Sequence, residues 1–209
     1  SEVNVRKKPR VLILPTGSEL REPDPSHASR PDMRSGIIES NSYVLSGLIV
    51  EDGGVPVRNP IVKDDPAKIK EALLSNIEGV DLILMIAGSS AGSEDYTRSI
   101  IEESGEILVH GVSMMPGKPT LIGKLKDRPI IGIPGYPVSA VIAYERLVRP
   151  MLYQSLHVMM PERPKIKVLP TGKLPSKLGT EEFLRVKVGN VGGKFFATPL
   201  PRGSGVITS

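Results

Sequence analysis

Two turns of this chain pair Pro and Gly with a polar side chain. They are Pro116-Gly117-Lys118-Pro119 and, further on, Pro134-Gly135-Tyr136-Pro137-Val138-Ser139-Ala140. Such turns hold backbone N–H groups and a cation in fixed geometry around an anion. Lys118 supplies the cation in the first turn and Ser139 a hydroxyl in the second. Either turn alone is also an ordinary loop that ends a strand. Together with the motifs below they predict a binding site.

Two further loops carry the same chemistry. Gly88-Ser89-Ser90-Ala91-Gly92 follows an apolar run and opens a helix, where unpaired N–H groups and the helix dipole favour a phosphate. It has neither the terminal Lys-Ser/Thr of a P-loop nor the spacing of a dinucleotide fingerprint. Thr16-Gly17-Ser18-Glu19 closes the first apolar run in the same way. Carboxylates lie beside these loops at Glu19, Asp64, Asp65 and Asp95. Asp65 and Asp95 also read as helix caps. A carboxylate next to a phosphate loop repels the ligand unless a cation lies between them. Magnesium takes one or two carboxylates plus phosphate oxygens and resolves that conflict. His110 ends a strand and reads as structural, and His27 and His157 as surface residues.

The elements that must position these loops follow from periodicity. Arg10 to Pro15 and Asp81 to Ala87 are continuously apolar, as buried strands of a parallel sheet are. After a polar loop from Arg21 to Ser35, a helix starts near Ser40 or Asn41. It carries Val44, Leu45, Leu48 and Ile49 on one face and stops at Gly53-Gly54. Residues 55–62 form a strand whose two prolines put it at a sheet edge. Asp65-Pro66 opens a helix with a buried stripe at Ile69, Leu73 and Ile77. A helix near Asp95 ends at Gly105, residues 107–110 make a strand, and 120–133 a hairpin around Lys126-Asp127. The last helix runs from Val138 to Gln154 with Pro150 kinking or shortening it. Strands alternating with helices predict an α/β fold, a three-layer αβα sandwich around a mostly parallel sheet. From residue 161 the pattern alternates at Ile166–Val168, Phe183–Val188 and Lys194–Thr198, which predicts a small antiparallel β unit.

With 209 residues the chain has room for one ordinary domain and a small second one. A hydrophobic share of 39% and a charged share of 24% describe a soluble globular protein. No apolar run is long enough for a membrane span, and no secretory signal is visible at the start. The absence of Cys excludes a disulfide framework and thiolate metal sites, and is compatible with the cytoplasm. Residues 161–209 carry a net charge of +6 and residues 1–160 a net charge of −2. That asymmetry predicts an anionic ligand shared between the two parts. Nucleic acid is disfavoured, because aromatics are only 4% and stacking platforms are scarce.

These motifs occur in an order that resembles the molybdopterin molybdotransferases, the MoeA and gephyrin E-domain type. The resemblance rests on Thr16 to Leu20, Glu39-Ser40-Asn41, Asp64-Asp65-Pro66, Gly88 to Asp95-Tyr96, and the two Pro-Gly turns. It extends to Phe183-Leu184-Arg185 and Arg202-Gly203-Ser204. It implies a linker over residues 1–9, a molybdopterin-binding αβα domain over 10–155, and a small β-barrel-like domain over 161–209. The implied reaction inserts molybdate into adenylylated molybdopterin with a divalent cation, Mg2+, and releases AMP, usually in a homodimer.

Carried over by position, Asp64, Asp95 and Lys118 are the implied catalytic residues, with Glu19 and Asp95 as metal ligands. Implied ligand-binding positions are Thr16, Gly17, Glu19, Gly88, Ser89, Ser90, Gly92, Tyr96, Pro116, Gly117, Pro119, Pro134, Gly135 and Pro137. Lys118, Ser139, Arg185 and Ser204 match the family's oxyanion pocket. The chain departs from the pattern at Ser89-Ser90, at Gly111 and Met115, where many members carry Lys, and at Tyr136, where Asn is frequent. Complete members also place two domains before Val11. The alternative expectation is a cofactor-binding or regulatory module without full transferase activity.

Overall fold

The computed structural model describes residues 2–24, 36–87 and 91–200, with the backbone alone for residues 91–95. The first half comprises β1 (Arg10–Pro15), β2 (Leu20–Arg21), β3 (Ile37–Ile38), α1 (Asn41–Glu51), β4 (Val55–Arg58), α2 (Pro66–Asn76), β5 (Leu82–Ile86) and α3 (Ala91–Ser104). There follow β6 (Gly105–His110), β7 (Met114–Met115), β8 (Leu121–Leu125), β9 (Arg128–Ile133), α4 (Pro137–Ala143) and α5 (Arg149–Leu156). The chain goes on through β10 (Leu169–Pro170), β11 (Glu181–Glu182), β12 (Val186–Val191) and β13 (Lys194–Pro199).

A six-stranded sheet in the order β4-β1-β5-β9-β8-β6 forms the centre. β4, β1, β5 and β9 run parallel, and β8 is antiparallel to both β9 and β6. Successive side chains of a strand face opposite layers. Val11, Ile13, Leu82, Leu84 and Ile86 therefore pack with Leu45 and Ile49 of α1 and Ala140, Ala143 and Leu152 of α4 and α5. Leu12, Leu14, Ile83 and Met85 face the other way, against Ile69 and Leu73 of α2 and Ile100 and Ile101 of α3. The predicted three-layer αβα sandwich with a mostly parallel sheet is the observed one.

Local chemistry sets the element ends. The Asp65 carboxylate accepts from the N–H groups of Ala67 and Lys68, and Pro66 opens α2 where no N–H is needed. β4 takes the sheet edge, as Pro56 favours, but stops at Arg58 rather than Val62, short of Pro60. Only an isolated bridge, Thr16 to Val62, continues that edge. Lys126, at a φ of 51°, turns the β8–β9 hairpin. The expected final helix is interrupted by a π-wound turn at Tyr144–Val148, directly ahead of Pro150. The Pro150 ring lacks an N–H and crowds the preceding turn, and the wider turn accommodates it.

The small β unit differs from expectation in register and direction. Its three-stranded sheet has the order β10-β13-β12. β12 and β13 are antiparallel around Gly192-Gly193, but β10 runs parallel to β13. The long connection from β10 to β12 gives the chain room for that crossing. Ile166–Val168 lies outside any strand. The expected strand from Phe183 starts only at Val186, because Glu181–Glu182 pairs instead with Met114–Met115 of the larger domain. No helix among the described residues is long and apolar enough to cross a membrane.

Candidate ligand-binding site

Parallel strands deliver their following loops to one edge of a sheet, which is where α/β folds bind ligands. At the carboxyl edge of β1, β5 and β9 lies a cavity of about 320 Å³. Its lining comes from the β1–β2 turn (Glu19, Leu20), the segment around β3 (Ile37 to Asn41), the end of β5 (Ile86, Ala87) and the second Pro-Gly turn (Gly135, Tyr136, Pro137). A small cavity of about 20 Å³ also reaches Ala87, with Thr97, His110, Pro119 and Pro134 around it. The two Pro-Gly turns thus meet at one place in the fold.

Hydrogen bonds fix these walls. Asn41, 8% exposed, donates from Nδ2 to the carbonyl of Gly135 at 2.7 Å and so ties the start of α1 to the second turn. The N–H of Ile37 donates to the carbonyl of Glu19 at 2.8 Å, and that of Glu39 to the carbonyl of Arg21 at 2.9 Å. The buried Glu39 carboxylate accepts from the N–H and the hydroxyl of Ser42. Arg58 donates to Ser42 Oγ at 2.6 Å and to Glu22 at 2.7 Å, and lies over the Tyr43 ring. The Arg58 hydrogen bond holds the Glu22 carboxyl below its ordinary range. Sequence reasoning missed Arg58 and Glu22. An isolated Arg in an edge strand gives no local sign of a carboxylate network 36 residues away.

The β1–β2 turn answers part of the expectation. The N–H groups of Thr16 and Gly17 donate to the carbonyls of Ile86 and Val62 at 2.9 and 3.0 Å, and the Thr16 hydroxyl also donates to Ile86. Those two amides are occupied inside the protein, so the expectation that they face a phosphate fails. The carboxylates beside them are differently placed. Asp64 accepts from the Ser18 N–H at 2.9 Å through Oδ2, while its own N–H donates to Ser18 Oγ at 3.0 Å. Its other oxygen, Oδ1, is buried with no hydrogen-bond partner among the described residues. Next along the chain, Glu19 lines the cavity. A buried carboxylate oxygen without a donor is costly, and a hard cation is the group that suits it. Among the described residues no cluster of three or more His, Cys, Asp or Glu could hold a metal unaided.

The remaining predicted residues are placed as follows. Lys118 is exposed, and its carbonyl accepts from the Val112 N–H at 2.9 Å. Gly117, at a φ of 114°, lies against the Met114 side chain with no room for a Cβ. Pro116 follows a cis peptide bond. Ser139 is 4% exposed on the first turn of α4. Tyr96 is 37% exposed on α3, and Gly92 lies in its first turn. Gly88, Ser89, Ser90 and Ser204 lie outside the described residues, as does the side chain of Asp95. Arg185 is near the first turn by connectivity: the Phe183 N–H donates to the Met115 carbonyl at 2.8 Å. At this junction charges of both signs meet. Glu181–Glu182 pairs with Met114–Met115 and Arg146 of the larger domain bonds Glu181 at 2.8 Å, while Arg163 bonds Glu51 at 3.2 Å and also Glu145 of the larger domain.

The family described as "Probable molybdopterin binding domain" matches residues 12–154, and "MoeA C-terminal region (domain IV)" matches residues 167–209. A molybdopterin biosynthesis protein of Methanocaldococcus jannaschii is 34% identical over 201 residues, covering 94% of this chain and 47% of that protein. Molybdopterin molybdenumtransferase 2 of Mycobacterium tuberculosis is 31% identical over 88% of this chain and 46% of its own length. The crystal structure of the molybdopterin biosynthesis MoeA protein from Pyrococcus horikoshii superposes with a TM-score of 0.73 at 32% identity, covering 95% of this chain and 46% of that one. The chain spans about half the length of these relatives.

Proposed function

The chain belongs to the molybdopterin-binding domain family, and from that premise we propose that it serves molybdenum cofactor biosynthesis as the ligand-holding core of a molybdopterin molybdotransferase. The proposed reaction inserts molybdate into adenylylated molybdopterin and releases AMP. The observation that carries this reading is the 320 Å³ cavity at the carboxyl edge of the sheet, lined by Glu19, whose chain neighbour Ser18 donates its N–H to the Asp64 carboxylate at 2.9 Å. Glu19 and Asp64, with Asp95 from the start of α3, would hold magnesium against the phosphates of the ligand. Bound there, the cation neutralises the phosphate charge that these carboxylates would otherwise repel. The Ser18 N–H and hydroxyl orient Asp64 for that task.

Lys118, Ser139, Arg185 and Ser204 are assigned to molybdate, since fixed cations and hydroxyl donors suit a dianion. A homodimer and a cytoplasmic location belong to the same proposal. Calorimetry with AMP tests it. Wild-type chain should bind AMP at least about tenfold more tightly with magnesium than with chelator, and Asp64→Asn should lose most of that difference. Equal affinity in magnesium and chelator removes the cation from the site. Failure of the wild type to bind AMP at all defeats the whole reading.

A further inference from the structure

Three large hydrophobic side chains that face solvent border the same cavity. Ile37, Ile38 and Tyr136 are 53%, 49% and 47% exposed, and all line the 320 Å³ space. Single exposed apolar side chains are common on soluble proteins. Three of them from two separate segments, around one concave space of small-molecule size, form a ligand surface.

The backbone holds both walls in place before any ligand arrives. On one side, Ile37 is pinned by its N–H to the Glu19 carbonyl, and Ile38 by the bond from the following Glu39 N–H to Arg21. Gly36, at a φ of 92°, has the Glu19 carbonyl 2.8 Å from where a Cβ would be, so this approach requires glycine. On the other side, Tyr136 lies between Gly135 and Pro137, and its carbonyl accepts the Ala140 N–H at 2.9 Å. The Asn41 bond to Gly135 links the two walls. The Tyr136 hydroxyl makes no hydrogen bond among the described residues.

We infer that Tyr136 and the Ile37–Ile38 pair form an apolar clamp for a flat fused heteroaromatic ring, with Tyr136 stacking on its face. The inference rests on the proposed function, which makes the cavity the ligand site, and adds the part of the ligand held there: its purine or its pterin. Stacking of a heterocyclic base on an aromatic side chain is sequence-tolerant and substantial. Branched aliphatics lining the same cavity add contact without competing for the ring's polar edge.

Adenosine, pterin and ribose 5-phosphate, titrated separately by calorimetry, test the clamp. Tyr136→Ala should weaken one of the two ring probes about tenfold, and Tyr136→Phe should stay within about twofold of wild type. Ile37→Ala with Ile38→Ala should weaken the same probe, and ribose 5-phosphate should be indifferent to all three variants. Loss confined to adenosine assigns the clamp to the purine, and loss confined to pterin assigns it to the pterin. Thermal unfolding near the wild-type temperature excludes misfolding as the cause of any loss. Unchanged ring affinity in Tyr136→Ala, or loss of both rings restored by neither Phe nor the wild-type aliphatics, overturns the clamp. Should magnesium-dependent AMP binding survive that result, the proposed function stands without the clamp. A wild type that binds neither ring probe nor AMP fails both.

Discussion

Met115 is the residue at which sequence and structure bear most directly on each other. It occupies a position where the resemblance to the family implies Lys, is 40% exposed, and gives its carbonyl to Phe183 across the junction between the two parts. Its register partner there is Glu182. A lysine introduced at 115 therefore meets a carboxylate before it meets an anion, and the ion pair would absorb part of its effect. Met115→Lys combined with Glu182→Gln should strengthen molybdate binding about tenfold, the effect of one added charge-assisted hydrogen bond. Met115→Lys alone should gain less. Equilibrium dialysis with molybdate measures both, and a double variant no better than wild type removes this turn from the oxyanion site.

At the scale of the element, the helical stretch behind the second Pro-Gly turn is held by a buried polar network. Its π-wound middle brings Tyr144, Arg149 and Tyr153 to the one carboxylate of Asp52, at 2.8, 3.1 and 3.1 Å. Asp52 and Arg149 are 3% and 4% exposed. Burial, and then the bond to Asp52, push the Tyr144 phenol far above its ordinary range, so it stays a donor. Arg149 also donates to the Pro161 carbonyl at 3.0 Å and thereby anchors the exit towards the β unit. Asp52→Asn leaves a buried guanidinium without its main counter-charge and should cost about 3 kcal/mol. Tyr144→Phe should cost about 1–3 kcal/mol. Urea unfolding reads both, and an unshifted midpoint for Asp52→Asn would show that the network does not hold the helix to α1.

At the scale of the molecule, the contacts that hold the β unit to the sandwich can be tested one by one. Phe183 packs against the core on the α1–α4 side, Arg146 lies 5.4 Å over its ring, β11 pairs with β7, and Arg163 bonds Glu51 and Glu145. Loops with few buried apolar contacts open at low free energy. Phe183→Ala should therefore raise the population of undocked β unit about tenfold, while the sandwich keeps its own stability. Trypsin should cut faster among Lys165, Lys167, Lys173 and Lys177 and leave the sandwich as a resistant fragment. An unchanged cleavage rate would place the docking energy elsewhere.

Periodicity and turn chemistry act over a few residues, and what depends on them was legible in the sequence. The continuous apolar runs at Val11 and Leu82, the Ile69-Leu73 stripe and the Asp65-Pro66 helix start each carry their outcome locally, and together they imply the αβα layers. The order of the motifs was enough to place the chain in its family. Contacts across the chain were not legible, because no local pattern encodes which strand edge lies beside which turn. The occupied amides of Thr16 and Gly17, the Asp64 oxygen with no donor among the described residues, the junction at Glu181–Glu182 and the cavity shared by Ile37, Ile38 and Tyr136 all arise from partners far apart in sequence. Such partners meet only when burial of both sheet faces fixes the register of every strand, and that is a property of the tertiary structure alone.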